Sequence, residues 1–305
     1  MRNLASLHVY PLKSARGIDP TEAVVEPWGL AGDRRWMLVD TTGRFVSQRK
    51  QPRLATVTVC PRTDGSLVVN APSMDEFVVA PGSGRHPTPV NVWDSEFDAD
   101  LADDDAHAWF ATLLDTDVRL VHLDDPTRRA VDPRYGSASD RVSFADGFPL
   151  LLTTTGSLEA LNALIGSPRS GESASSSGPE RASRSPLPMN RFRPNVVIDE
   201  RTAWAEDRWR RVRIGDVVFR VVKPCSRCVI TTTDQRTGER GPEPLRALGR
   251  HRRFGKRLLF GQNLIPDLAP GGRHVLRVGD EFEVLETGDP HEGEDRPAQA
   301  GHPHG

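Results

Sequence analysis

The chain has 305 residues, a net charge of −2 and 37% hydrophobic residues. That length buries a core without help from disulfides or a structural metal, and the near-neutral balance, with no basic stripe interleaved with aromatics, excludes a nucleic-acid footprint. Three cysteines, Cys60, Cys225 and Cys228, are too few for a secreted disulfide framework or for the four thiolates of an ordinary iron–sulfur cluster.

The N-terminus runs directly into the alternating segment Leu4-Ala5-Ser6-Leu7-His8-Val9-Tyr10, not into a basic region followed by an apolar signal core. No apolar run approaches the ~20 residues that span a bilayer, so a cytoplasmic protein without a membrane span is expected. Short apolar or alternating runs at 23–26, 36–39, 55–59, 66–69 and 76–79 alternate with turn signals such as Gly29-Leu30-Ala31-Gly32-Asp33 and Asp64-Gly65. That rhythm predicts a β-barrel or sandwich. Residues 71–72 and 81–89 read as loops. Ala106, Trp109, Phe110 and Leu113 recur at helical spacing and predict a helix over 103–114, with three aspartates suited to its first turn. A strand at 118–121 and an apolar run at 148–152 precede a second helix from about 155, with Ser157 as its expected N-cap.

Residues 166–188 are rich in Ser, Gly, Pro and Arg, too poor in core formers to fold alone, and are expected to be a disordered insertion. Strands are then predicted at 195–198, 211–214 and 217–222. Val229-Ile230-Thr231-Thr232-Thr233 is β-branched and reads as strand. A helix at 243–251, a strand at 258–265 and a final hairpin of 275–278 with 281–285 close the fold. The tail beyond 287 is expected to be disordered.

Candidate chemistry centres on Cys225-Ser226-Arg227-Cys228. By itself a C-x-x-C fits half a zinc site, a thioredoxin-type redox pair or an inert buried pair. No second C-x-x-C or paired His supplies the remaining zinc ligands, and the β-branched run that follows is not the helix of a thioredoxin context. Lys223 and Arg227 would favour a thiolate. Lys13-Ser14 in a turn, with Arg34, Arg35, Arg49, Arg191 and Arg193, suits a phosphate, because a guanidinium gives parallel charge-assisted hydrogen bonds. No P-loop, G-x-G-x-x-G, G-x-S-x-G or H-E-x-x-H is present.

Several of these segments carry a resemblance. Val9-Tyr10-Pro11-Leu12-Lys13-Ser14, Gly29-Leu30-Ala31-Gly32-Asp33-Arg34-Arg35-Trp36 and Arg49-Lys50-Gln51-Pro52-Arg53-Leu54 resemble the N-terminal β-barrel domain that precedes MOSC domains. Arg191-Phe192-Arg193-Pro194-Asn195, Lys223-Pro224-Cys225-Ser226-Arg227-Cys228, Thr231-Thr232-Thr233-Asp234 and Phe260-Gly261-Gln262-Asn263 resemble the MOSC domain itself. The resemblance implies a mainly β (α+β) chain: an N-terminal β-barrel-like domain over 1–122, a β-barrel MOSC domain with a few helices over 123–287, and a tail over 288–305.

That resemblance, to amidoxime-reducing components and bacterial N-hydroxylated-base reductases, implies a molybdenum-dependent oxidoreductase expected to act on N-hydroxylated or N-oxide-type small molecules. Cys228 would be the catalytic cysteine and the metal ligand of a molybdenum–molybdopterin cofactor, a role that suits a soft thiolate. Lys13, Ser14 and Arg34 match residues that hold the pterin phosphate. Arg193 and Asp146 match further cofactor contacts, and Arg49, Asn195, Ser226 and Asn263 are placed with them. Gly147-Phe148 departs from the small hydroxyl residues of relatives. The cysteines of a plant-type ferredoxin domain are missing from this chain, so electrons are expected from a separate ferredoxin- or cytochrome-like protein. MOSC is named for the C-terminal part of molybdenum cofactor sulfurase, and the alternative that this resemblance implies is a sulfur carrier or cofactor-handling protein with a Cys228 persulfide. The sulfurase's pyridoxal-phosphate domain is not expected here.

Overall fold

The computed structural model describes residues 2–80, 87–166, 185–269 and 271–290. Most of the expected insertion, the tail from 291 and residues 81–86 lie outside the described residues. The described chain is mainly β, with α-helices at Asp104–Leu114, Thr155–Gly166 and Leu245–His251.

The largest sheet runs Leu4–Leu7, Val196–Ile198, Leu150–Thr154, Arg257–Asp267, Val217–Ser226, Trp209–Ile214 and Phe282–Thr287, with Arg253–Phe254 paired beside it. Its spine is the antiparallel pair of the two long strands, Val217–Ser226 and Arg257–Asp267. Val217, Phe219 and Val221 alternate inward, as a half-buried strand requires, onto Leu152, Ile198, Val212 and Leu264. The first strand of the chain therefore sits in the sheet built mostly from C-terminal strands, paired with Val196–Ile198.

The remaining N-terminal strands form curled smaller sheets. One orders Trp36–Val39, Arg119–His122, Ser95–Leu101 and Pro87–Val92, and another Thr58–Pro61, Leu67–Asn70 and Phe77–Val79. The helix Asp104–Leu114 is capped by Asp103, whose side chain accepts from the Ala106 N–H. Its predicted apolar face, Ala106, Trp109, Phe110 and Leu113, packs with Leu38, Val69 and Leu120.

Five expectations are corrected. The closing segments do not form a hairpin: His274–Arg277 pairs with Glu22–Glu26, and Phe282–Thr287 pairs with Trp209–Ile214. Both segments pair instead with strands from earlier in the chain, whose open edges offer unpaired main-chain N–H and C=O groups. Residues 55–59 are not one strand, because Pro52 opens a 3-10 turn over Pro52–Thr56 and the strand starts at Thr58. Pro87 and Pro89 lie in a strand, one at the edge of its sheet where a missing N–H is tolerated. Residues 229–232 form a 3-10 turn, because Thr231 and Thr232 hydroxyls donate to the carbonyls of Cys228 and Val229 at 2.9 and 2.7 Å. The Ser157 hydroxyl does not cap its helix: Thr154 Oγ1 accepts from the Ser157 N–H at 3.3 Å, while Ser157 Oγ donates to Glu206 at 2.9 Å.

Candidate active site

The strand Val217–Ser226 carries Cys225 and Ser226 to its end, and Arg227 N–H then donates to Leu258 O at 2.8 Å. Cys228 follows as the residue before the 3-10 turn. The threonine back-bonds make that turn compact and leave Cys228 in the wall of a cleft open to solvent. Both Cys225 and Cys228 are free thiols. Arg227 lies between them in sequence and reaches back, donating Nη1 to Cys225 Sγ at 2.8 Å and Nη2 to Phe192 O. Its Nε is buried without a partner.

Facing the thiols is a group of buried cations. Lys13 is 5% exposed and Arg193 8%, a burial that cationic side chains adopt only with specific partners. Lys13 Nζ donates to Phe144 O at 2.7 Å and to Asp146 Oδ1 at 2.6 Å. Burial pushes the Lys13 pKa down to about 8 against the pull of Asp146. The surrounding protein works against the charge on Asp146 even though its side chain is 53% exposed, but Lys13 and then Arg49 outweigh this and hold the carboxyl well below the usual carboxylate range. Burial brings Arg193 down to about 10. Arg34 is held by Asp33, by Asn195 Oδ1 at 3.2 Å and by Arg193 O at 3.3 Å. Arg34 and Arg193 both lie over the Tyr10 ring, 4.6 and 4.2 Å from its centroid.

The backbone beneath these groups is strained. Ser14, Arg34 and Arg193 have φ of 71°, 50° and 53°, in the left-handed region that costs a non-glycine residue about 1–3 kcal/mol and tends to persist where the surroundings enforce it for function. Here the surroundings do enforce it. Arg34 N–H donates to Tyr10 O at 2.7 Å, Arg193 Nη1 to Ala15 O at 2.7 Å, and Gln48 Nε2 to Ser14 O at 2.7 Å.

The cleft brings together the ten residues that the resemblance assigned to the cofactor: Lys13, Ser14, Arg34, Arg49, Asp146, Arg193, Asn195, Ser226, Cys228 and Asn263. Gly147 and Phe148 also line it. Arg35 turns away to the carbonyls of Leu123 and Asp124, and Arg191 binds Thr232 O and Asp234, so neither joins the cation group. Three contributors were missed. Gln48 and Gln235 exchange amide hydrogen bonds at 3.0 and 3.1 Å, both buried, and Gln235 Oε1 also accepts from Arg193 at 3.1 Å. Arg129, 3% exposed, donates to the carbonyls of Ser143, Ala145 and Asp146. No spacing signals these residues, because their partners are amides and carbonyls remote in sequence.

The sequence itself divides between two family models, the MOSC N-terminal beta barrel domain over residues 1–117 and the MOSC domain over residues 139–283. A Mus musculus protein named mitochondrial amidoxime-reducing component 1 is 30% identical over 301 residues, spanning 92% of this chain and 82% of that protein. The chain belongs to the MOSC family. Its similarity extends to the Homo sapiens mitochondrial amidoxime-reducing component 1, 28% identical across 92% of this chain and 82% of that protein. Molybdenum cofactor sulfurase of Oryza sativa subsp. japonica is 26% identical across 85% of this chain but only 32% of its own length. In this MOSC protein the match to the N-terminal model contains Lys13, Ser14, Arg34 and Arg49, and the match to the MOSC model contains Asp146, Arg193, Asn195, Ser226, Cys228 and Asn263. Among the described residues, no helix is long and apolar enough to cross a membrane.

Proposed function

We propose that this MOSC protein is a molybdenum-cofactor-dependent oxidoreductase that reduces N-hydroxylated or N-oxide-type small molecules with electrons from a separate redox protein. The observation that carries the reading is the pairing of a free thiol, Cys228, with a buried cation group in one cleft. A soft thiolate and a phosphate seat are the two features that a molybdenum–pterin cofactor needs from a protein.

The residues fit such a group. Among the described residues no three His, Cys, Asp or Glu side chains gather as a metal site, so a metal at Cys228 would have to bring most of its own ligands, as a dithiolene-bound molybdenum does. Arg49 Nη1 and Arg227 Nε are buried donors without acceptors, and buried polar atoms ordinarily find partners. Lys13, Ser14, Arg34, Arg49 and Arg193 would hold the phosphate end. Asp146, Asn195, Ser226 and Asn263 would meet the pterin, and Cys228 the metal. When bound, the cofactor supplies two-electron oxygen-removal chemistry, and the chain supplies orientation, charge and the thiolate that tunes it.

The resemblance to amidoxime-reducing components over most of their length supports a reductase. The resemblance to the sulfurase supports a second reading, in which Cys228 bears a persulfide. One experiment separates them. Protein from a host competent in molybdenum-cofactor synthesis is mixed with a benzamidoxime and reduced viologen, beside its Cys228→Ala variant. The reductase reading predicts amidine formation by the parent protein and none by the folded variant. Amidine formation by both would overturn the assignment of Cys228. Persulfide mass on Cys228 without amidine formation would favour the carrier.

A further inference from the structure

On the reading above, Lys13 and Arg49 stand where an anionic group binds, yet neither is free. Asp146 Oδ1 accepts from Lys13 at 2.6 Å and Oδ2 from Arg49 Nη2 at 3.3 Å. The Lys13 side chain is 6% exposed and the Asp146 side chain 53%, so the acid is the partner open to solvent.

The backbone that carries Asp146 is unusually fixed. Arg129 donates Nη1 to Ser143 O at 2.6 Å and to Ala145 O, and Nη2 to Asp146 O at 3.0 Å. Lys13 takes the remaining carbonyl, Phe144 O, at 2.7 Å. Four successive carbonyls are thus held by two buried cations. Phe144 N–H donates to Arg34 O at 3.0 Å, tying the same segment to another cleft residue. A carboxylate on a loose loop would swing aside when an anion arrived. This one is set against Lys13 and Arg49 and can leave only by breaking those pairs.

We propose that Asp146 is an internal counter-anion that makes the cleft selective against small free anions. It takes up Lys13 and Arg49 in place of a ligand's own charge. Free sulfate or phosphate meets the carboxylate as a like charge and has nothing else to offer. A large phosphorylated ligand also reaches Arg34, Arg193 and the far wall of the cleft, and those contacts offset the displacement or sharing of Asp146. Selectivity then comes from repulsion of the wrong ligand as much as from attraction of the right one. The inference rests on the proposed cofactor reading only for the identity of the large ligand.

The test uses sulfate, a dianion at every relevant pH, titrated calorimetrically at pH 6 and constant ionic strength. The full chain is produced in a host that makes no molybdenum cofactor. Asp146→Asn should bind sulfate on the order of tenfold more tightly than the parent protein, a change that calorimetry resolves. Asp146→Ser should move the same way, which keeps the test open if the Asn variant does not fold. Adding Lys13→Met to Asp146→Asn should remove the gain. Unchanged or weaker sulfate binding by folded Asp146→Asn and Asp146→Ser would overturn the proposal, as would a gain that survives Lys13→Met. Failure of the cofactor reading would look different: the sulfate gain would stand while protein from a competent host carried no molybdenum.

Discussion

Lys13 shows how one side chain can be placed for charge yet remain close to losing it. Burial lowers its pKa, Asp146 resists that, and the balance leaves a value of about 8. The protonated form binds anions, so the weak sulfate affinity of the parent protein should be highest near pH 6 and fall as pH rises through about 8, measured by titration at fixed ionic strength. A flat profile to pH 10 would show that Lys13 does not take part. Gly261 tests the backbone at the same scale. Its φ is 80°, and a Cβ there would lie 2.7 Å from Leu152 O. Gly261→Ala should lower stability in urea by about 1–3 kcal/mol. Residue types were legible in the sequence where chemistry repeats as a motif, as for Cys228, Lys13 and Arg193. Arg129 was not, because an arginine that binds only main-chain carbonyls leaves no pattern of residue types to read.

At the level of elements, the cleft depends on a polar seam between segments far apart in sequence. Gln48 and Gln235 form a reciprocal buried pair, and Gln235 also serves Arg193. Either single change to Leu leaves buried amide groups unpaired and should cost about 1–3 kcal/mol in urea denaturation. The double change to Leu should be less destabilising than the sum of the singles, and strict additivity would show that the pair is not coupled. A second buried element tie is Glu206, which takes Thr154 and Ser157 on Oε2 and nothing on Oε1. Burial raises its pKa to about 7. Its stabilising contribution is full below pH 4.5, the ordinary glutamate value, and is lost as pH rises through about 7. Glu206→Gln should therefore flatten the stability profile between those limits, as followed by thermal unfolding across pH. Elements with internal periodicity, such as the helix Asp104–Leu114, were legible in the sequence. The partners of His274–Arg277 and Phe282–Thr287 were not, because alternation marks a strand without marking what it pairs with. The turn at Val229–Thr232 was misread because hydroxyl back-bonding outweighed β-propensity there.

Across the whole molecule, the chain returns repeatedly to the same place. The first strand joins the C-terminal sheet, Glu22–Glu26 pairs with His274–Arg277, and Arg16 donates to Gln235 O at 3.1 and 3.2 Å. These crossings bring Lys13 and Arg34 to the same cleft as the turn that begins at Cys228, so the cleft is a product of long-range pairing rather than of any one segment. The β-rich class and the membership of the cleft could be read from ordered motifs. The crossings that assemble the cleft could not, since they depend on which exposed edges meet. The proposed function requires that this cleft seat a molybdenum cofactor on Cys228. The most direct measurement is molybdenum and pterin content of the purified full chain from a cofactor-competent host, beside Cys228→Ser with its fold verified by circular dichroism. Near-stoichiometric molybdenum is expected in the parent protein, and its loss in the variant. Folded parent protein without molybdenum or pterin, or equal molybdenum in both proteins, would contradict it.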